Sequence, residues 1–143
     1  MKSRGSILIV TLLILSILLS TCVVVIKVVG SGARIAGMEF ERKVAFYLAE
    51  AGFERAKVIM SSNANWFTDM PHSPSNDMVW LMGEAEGHRE DLGSGNFKIV
   101  KESGKNILYC IGYFNGSGRK PAVAVLKVDY QPAPFKQLNW EIL

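Results

Sequence analysis

Apolar and polar positions divide this chain into three regimes. From Ile7 to Ile26 the residues are apolar almost without a break, interrupted only by the small side chains of Thr11, Ser16, Ser20, Thr21 and Cys22. A helix needs about 20 such residues to cross the hydrocarbon core of a bilayer, where it satisfies its own backbone hydrogen bonds. From Lys27 to about Met60 the pattern stays helical but becomes two-sided. Phe40, Val44, Leu48 and Ala51 recur at helical spacing, with Tyr47 and Val58 beside them. Glu39, Glu41, Arg42, Lys43, Glu54 and Lys57 lie largely off that stripe. The spacing predicts one long helix, membrane-spanning over 6–30 and amphipathic over 31–62. Gly30, Gly32 and Gly37 sit between the halves, and each costs about 1 kcal/mol against alanine in a helix interior. They mark either a bend or a section that melts.

Beyond Met60 the polar run Ser61-Ser62-Asn63-Ala64-Asn65 ends the helix. Residues 66–91 contain Pro71 and Pro74 and mix polarity, which predicts an irregular connector with a short strand or turn at 79–82. Strand patterns follow at 95–101, 106–114 and 121–130, separated by turns at Ser103-Gly104-Lys105 and Asn115-Gly116-Ser117-Gly118. In the last of these strands Ala122, Ala124, Leu126, Val128 and Tyr130 share one face, suited to covering the helix. Leu138, Trp140 and Ile142 alternate as in an edge strand, the alternative for 135–143 being a tail. The expected architecture is α+β: a long N-terminal helix on a small antiparallel sheet of three to four strands. Its outer domain, 63–143, holds a variable loop (63–94), the meander (95–130) and the C-terminal segment.

A chain of 143 residues fits one domain with an appended segment. About 80 residues remain beyond the helix, near the lower limit for an independent core, so that domain is expected to bury itself partly against the helix. The formal charge of +3 comes largely from the N-terminus. Without Lys2 and Arg4, the 16 basic residues fall to 14 against 13 acidic ones, a net +1, which gives no argument for nucleic acid. Cys22 and Cys110 are too few for a disulfide framework, and they read as small apolar thiols. No catalytic constellation stands out, and no cofactor is implied. His72 and His88 lack metal-ligand spacing. Glu84, Glu86, Glu90 and Asp91 form an acidic cluster without the spacing of a calcium loop. Asn115-Gly116-Ser117 matches a glycosylation sequon, but the hairpin turn accounts for it.

Lys2 and Arg4 precede the apolar run and Lys27 is the first charge after it, which places the N-terminus in the cytoplasm and the rest outside. Three readings of this start remain open. A secretory signal would need a small-residue cleavage site, and Val23-Val24-Val25-Ile26 offers none. Leu19-Ser20-Thr21-Cys22 is similar to a lipobox, although the sequence stays apolar after the cysteine. Arg4-Gly5-Ser6-Ile7-Leu8-Ile9-Val10 resembles a prepilin-type signal, with a leader of residues 1–5 and cleavage between Gly5 and Ser6.

Further along, Ala45-Phe46-Tyr47-Leu48-Ala49-Glu50-Ala51-Gly52-Phe53-Glu54-Arg55-Ala56 closely resembles the A-Y-x-x-A-E-A-G-x-E-x-A signature of PilX-type minor pilins. The combined resemblance covers residues 1 to about 60. It implies a pilin-like fold and a low-abundance subunit of a type IV pilus or a related secretion filament. The partners it implies are other pilins and minor pilins, prepilin peptidase, the pilus assembly platform and the lipid bilayer, with methylation of the new N-terminus and no small-molecule substrate. Ser6 and Val10 depart from major pilins, which carry phenylalanine and glutamate there. Val10 cannot pair with a neighbour's amine, which fits a tip or initiating position rather than a shaft subunit. Glu50, among Ala45, Ala49, Ala51 and Gly52, reads as a packing or register contact or as an ordinary exposed carboxylate. Trp66, Phe67 and Trp80 read as a contact surface or as aromatics that pin the loop down. The competing function is a single-pass or lipid-anchored extracytoplasmic binding protein that never polymerises.

Overall fold

Residues without a helix breaker make a single helix, α1, over Ser3–Ser62. This computed structural model describes residues 3–63, 66, 69–70, 77–83, 85–116, 120–132 and 135–143. The chain divides into two units, Met1–Glu39 and Phe40–Leu143. In the first, α1 runs unbroken through Gly30, Gly32 and Gly37, with open space where each would carry a Cβ. It is long and apolar enough to cross a membrane.

In the second unit, β1 (Asp69–Met70), α2 (Met78–Met82) and strands β2 (His88–Leu92), β3 (Gly95–Glu102), β4 (Ile107–Phe114), β5 (Ala122–Pro132) and β6 (Phe135–Ile142) follow the helix. Strands β2 to β6 are antiparallel, five rather than three to four, and β1 adds a two-residue parallel bridge to β3. The meander 95–130 is present as β3, β4 and β5, and Gly104 takes the positive φ of 72° that its turn requires. The loop expected over 63–94 contains, among its described residues, elements its composition did not predict. A helix stands where a strand or turn was expected at 79–82, with Asp77 capping it by accepting from Trp80 N at 3.1 Å. The charged segment His88–Leu92 pairs with β3 as a strand.

Both faces of the sheet are covered. On one, Ala49, Phe53, Ala56 and Met60 of α1 pack against Phe97, Ile99, Leu108, Cys110, Leu126, Val128 and Tyr130. On the other, Leu81 and Ala85 pack against Val100, Tyr109, Ile111 and Val125. The buried stripe of α1 is therefore Ala45, Leu48, Ala49, Gly52, Phe53, Ala56 and Met60, rotated from the expected one, since Phe40, Tyr47 and Val58 stay exposed. Small residues decide that rotation. A Cβ on Gly112 of β4 would run into Ala45 O and would stand 2.6 Å from Ala49 N, so helix and strand backbones touch there. Gly52 approaches similarly from the helix, where a Cβ would meet the Phe97 ring at 3.0 Å. At the end of β3, the carboxylate of Glu102 is fully buried. It accepts from Tyr109 Oη at 3.1 Å, and Lys105 Nζ lies 2.5 Å from its other oxygen without hydrogen-bond alignment.

Candidate functional site

The first half of α1 is exposed from Ile7 to Val29. The hydroxyls of Thr11, Ser16, Ser20 and Thr21 donate to the carbonyls of Leu8, Leu13, Ile17 and Leu18 at 2.8–2.9 Å. Each hydroxyl thus finds a partner within its own helix, which removes the main cost of placing it in hydrocarbon. Gly5 and Ser6 lie within α1, so the helix continues across the expected processing junction. Val10 is exposed on the same helix.

Around the PilX-like signature the structure separates the residues the sequence grouped. Gly52 is buried against Phe97, Ala51 is half-buried and Glu50 is exposed. Glu50 edges a groove of about 360 Å³ with Phe53, Glu54, Leu126, Gln137 and Trp140. Ala45, Ala49 and Gly52 of the signature thus set the distance between helix and sheet, while Glu50 stands beside the groove. Glu54 pairs with Lys57 at 2.6 Å.

A second line, apolar except for Glu54, runs along α1 outside the core. Phe40, Val44, Tyr47, Ala51, Glu54 and Val58 follow alternating steps of four and three residues, the spacing of a helix–helix seam. Phe40, Tyr47 and Val58 are 63%, 63% and 62% exposed. Strand β6 adds exposed Trp140 and Ile142 at the sheet edge. The register there skips Leu138, because Asn139 pairs with Asp129 and Gln137 with Tyr130, so the expected alternation is interrupted by a bulge.

The aromatic trio does not gather into one surface. Trp66 packs at the edge of the helix-side core and meets the His88 ring edge-on at 4.8 Å. Trp80 packs on the opposite face of the sheet. Phe67, like His72 and Glu84, lies outside the described residues. His88, which looked isolated in sequence, has Nε2 2.7 Å from Glu90 Oε1, and Arg55 Nε donates to the same oxygen at 3.1 Å. The His88 hydrogen bond, followed by Arg55, holds the Glu90 carboxyl below its ordinary value of 4.5. His88 and Glu90 share a face of β2, a segment without a strand signal in the sequence, and Arg55 reaches them from α1. Among the described residues no group of three His, Cys, Asp or Glu side chains is placed to hold a metal. Cys22 is exposed on α1, and Cys110 is buried in β4, where desolvation pushes its thiol up to about 12 and makes it unreactive.

The chain matches no family model, no curated protein and no solved structure at a significant level.

Proposed function

We propose that this chain is a PilX-type minor pilin, a low-abundance subunit of a type IV pilus or related filament. In this reading the apolar half of α1 anchors it in the cytoplasmic membrane as a single span, with its C-terminal unit outside, before it enters the filament. The observation that carries the reading is the exposed seam of Phe40, Tyr47 and Val58, on a helix that already buries a different stripe against its own sheet. A lone anchor needs no such second line, whereas a subunit packed among other helices does. The PilX-like signature and the Arg4-Gly5-Ser6 start support it from sequence. Prepilin peptidase would act between Gly5 and Ser6, and the assembly platform and other pilins would be the later partners. Val10, in place of a glutamate, favours an initiating or tip position.

The test is mass spectrometry of the mature N-terminus in cells with and without prepilin peptidase. A chain that starts at Ser6 only when the peptidase is present is the expected result, and Gly5→Leu should leave the precursor uncut in the membrane. A mature chain starting at Met1 or at a lipid-modified Cys22 would overturn the reading and leave an anchored binding protein.

A further inference from the structure

On the sheet face away from α1, Met82, Gly83, Ala85 and Gly87 border a cleft of about 570 Å³ whose other walls are Glu86, Arg89, Lys98 and Tyr113. Two cations stand together in it. Arg89 of β2 and Lys98 of β3 are direct cross-strand partners, a placement in which like charges repel. Both lie against the Tyr113 ring, with Arg89 Cζ 5.8 Å and Lys98 Nζ 6.0 Å from its centroid. Lys98 is only 7% exposed. Its ammonium donates to Ala85 O at 3.2 Å, and Arg89 Nε donates to Asn96 Oδ1 at 3.1 Å. An ammonium has three donors and a guanidinium five, so both keep N–H groups beyond these bonds. Burial, followed by the charge of Arg89, holds the Lys98 ammonium below its ordinary value of 10.5.

Among the described residues no carboxylate forms an ion pair with Arg89 or Lys98, and Glu86 at the rim is exposed and bonded to neither. The Tyr113 hydroxyl is already committed, donating to Met82 O at 2.6 Å. Lys98 is the buried member of the pair and Arg89 the exposed one, and a buried charge without a matched partner is costly. A negative group entering the cleft would neutralise the repulsion and accept the remaining donors in charge-assisted bonds.

We infer that this cleft is a binding site for a small oxyanion group, a carboxylate or a phosphate, held by Arg89 and Lys98 with Tyr113 as its wall. The full-length protein in detergent micelles is titrated with inorganic phosphate and, separately, with acetate, at constant ionic strength set by chloride. Binding is followed by amide and side-chain NMR shifts. The expected result is a saturable shift confined to signals of Arg89, Lys98, Tyr113 and the neighbouring loop. Arg89→Gln and Lys98→Met should each weaken the affinity at least about tenfold, the loss of one charge-assisted bond. Glu86→Gln, which removes the rim carboxylate, should tighten it. Saturation by phosphate alone assigns a phosphate-bearing ligand, saturation by acetate alone a carboxylate, and saturation by both the oxyanion in general. Shifts that rise linearly with either salt, or that are the same size in wild type and Arg89→Gln, overturn the proposal. Lys98→Arg keeps the charge and serves where Lys98→Met does not fold; it should retain saturable binding.

Discussion

Gly112 is the point where single atoms decide how α1 meets its sheet. The space its side chain would occupy is filled by the backbone of Ala45 and Ala49, and backbone cannot turn aside as a side chain does. Gly112→Ala should therefore force the helix outward and cost about 1–3 kcal/mol, the range for overpacking a filled interior. Chemical denaturation of the full-length protein reads this directly. Glu90 offers a test through pH. Its carboxyl is held below 4.5 in the folded chain by His88 and Arg55, so it contributes stability above its unfolded value and loses that contribution as pH falls through the folded one. Thermal midpoints should drop as pH is lowered below 4.5, and Glu90→Gln should flatten that part of the profile. Neither site was legible beforehand. A lone glycine in a strand does not say which backbone approaches it, and the approach of His88 to Glu90 depends on β2 being a strand at all.

Strands β3, β4 and β5 could be read from the chain because apolar alternation and glycine turns coincide there. Two other elements could not. Helix α2 is too short to show a period, and its core contribution rests on Leu81. Strand β2 reads His-Arg-Glu-Asp-Leu, with no β-branched or aromatic residue, and is ordered by its ladder to β3. Helix α1 was legible as a helix but not in its facing. The large apolar side chains Phe40 and Tyr47 suggested the buried stripe, yet close approach to Gly112 selects the small ones, Ala45, Ala49 and Gly52. The two stripes can be separated by substitution. Tyr47→Glu and Val58→Glu, on the exposed line, should change stability by no more than about 0.5 kcal/mol, and under the proposed minor-pilin function they should keep the chain out of filaments. Ala49→Leu, on the buried stripe, should cost about 1–3 kcal/mol and lose the folded domain first. Denaturation of purified protein and immunoblots of sheared filaments give the two readouts. Assembly of both glutamate variants at wild-type levels would remove the seam from the argument.

At the scale of the molecule, the division at Glu39 and Phe40 separates two solutions to the same hydrophobic problem. Before it, apolar side chains are exposed on a helix long and apolar enough to cross a membrane. After it, both faces of a sheet are buried, one beneath α1 and one beneath α2 and its following loop, with core residues drawn wholly from Ala45 to Tyr130. Among the described residues no member of either core cluster lies before Phe40, so the second unit should not need the first in order to fold. A chain of residues 40–143 should accordingly be soluble without detergent and unfold in one cooperative transition. Its midpoint should lie within a few degrees of that of the full-length protein, since about 1 kcal/mol shifts a domain of this size by about 4–8 °C. Circular dichroism of both forms during heating makes the comparison. A broad transition, or a midpoint lowered well beyond that range, would mean that residues before Phe40 supply stability to the outer unit. A matching one leaves the apolar half of α1 free for its surroundings alone, which is what a subunit that moves from membrane to filament requires.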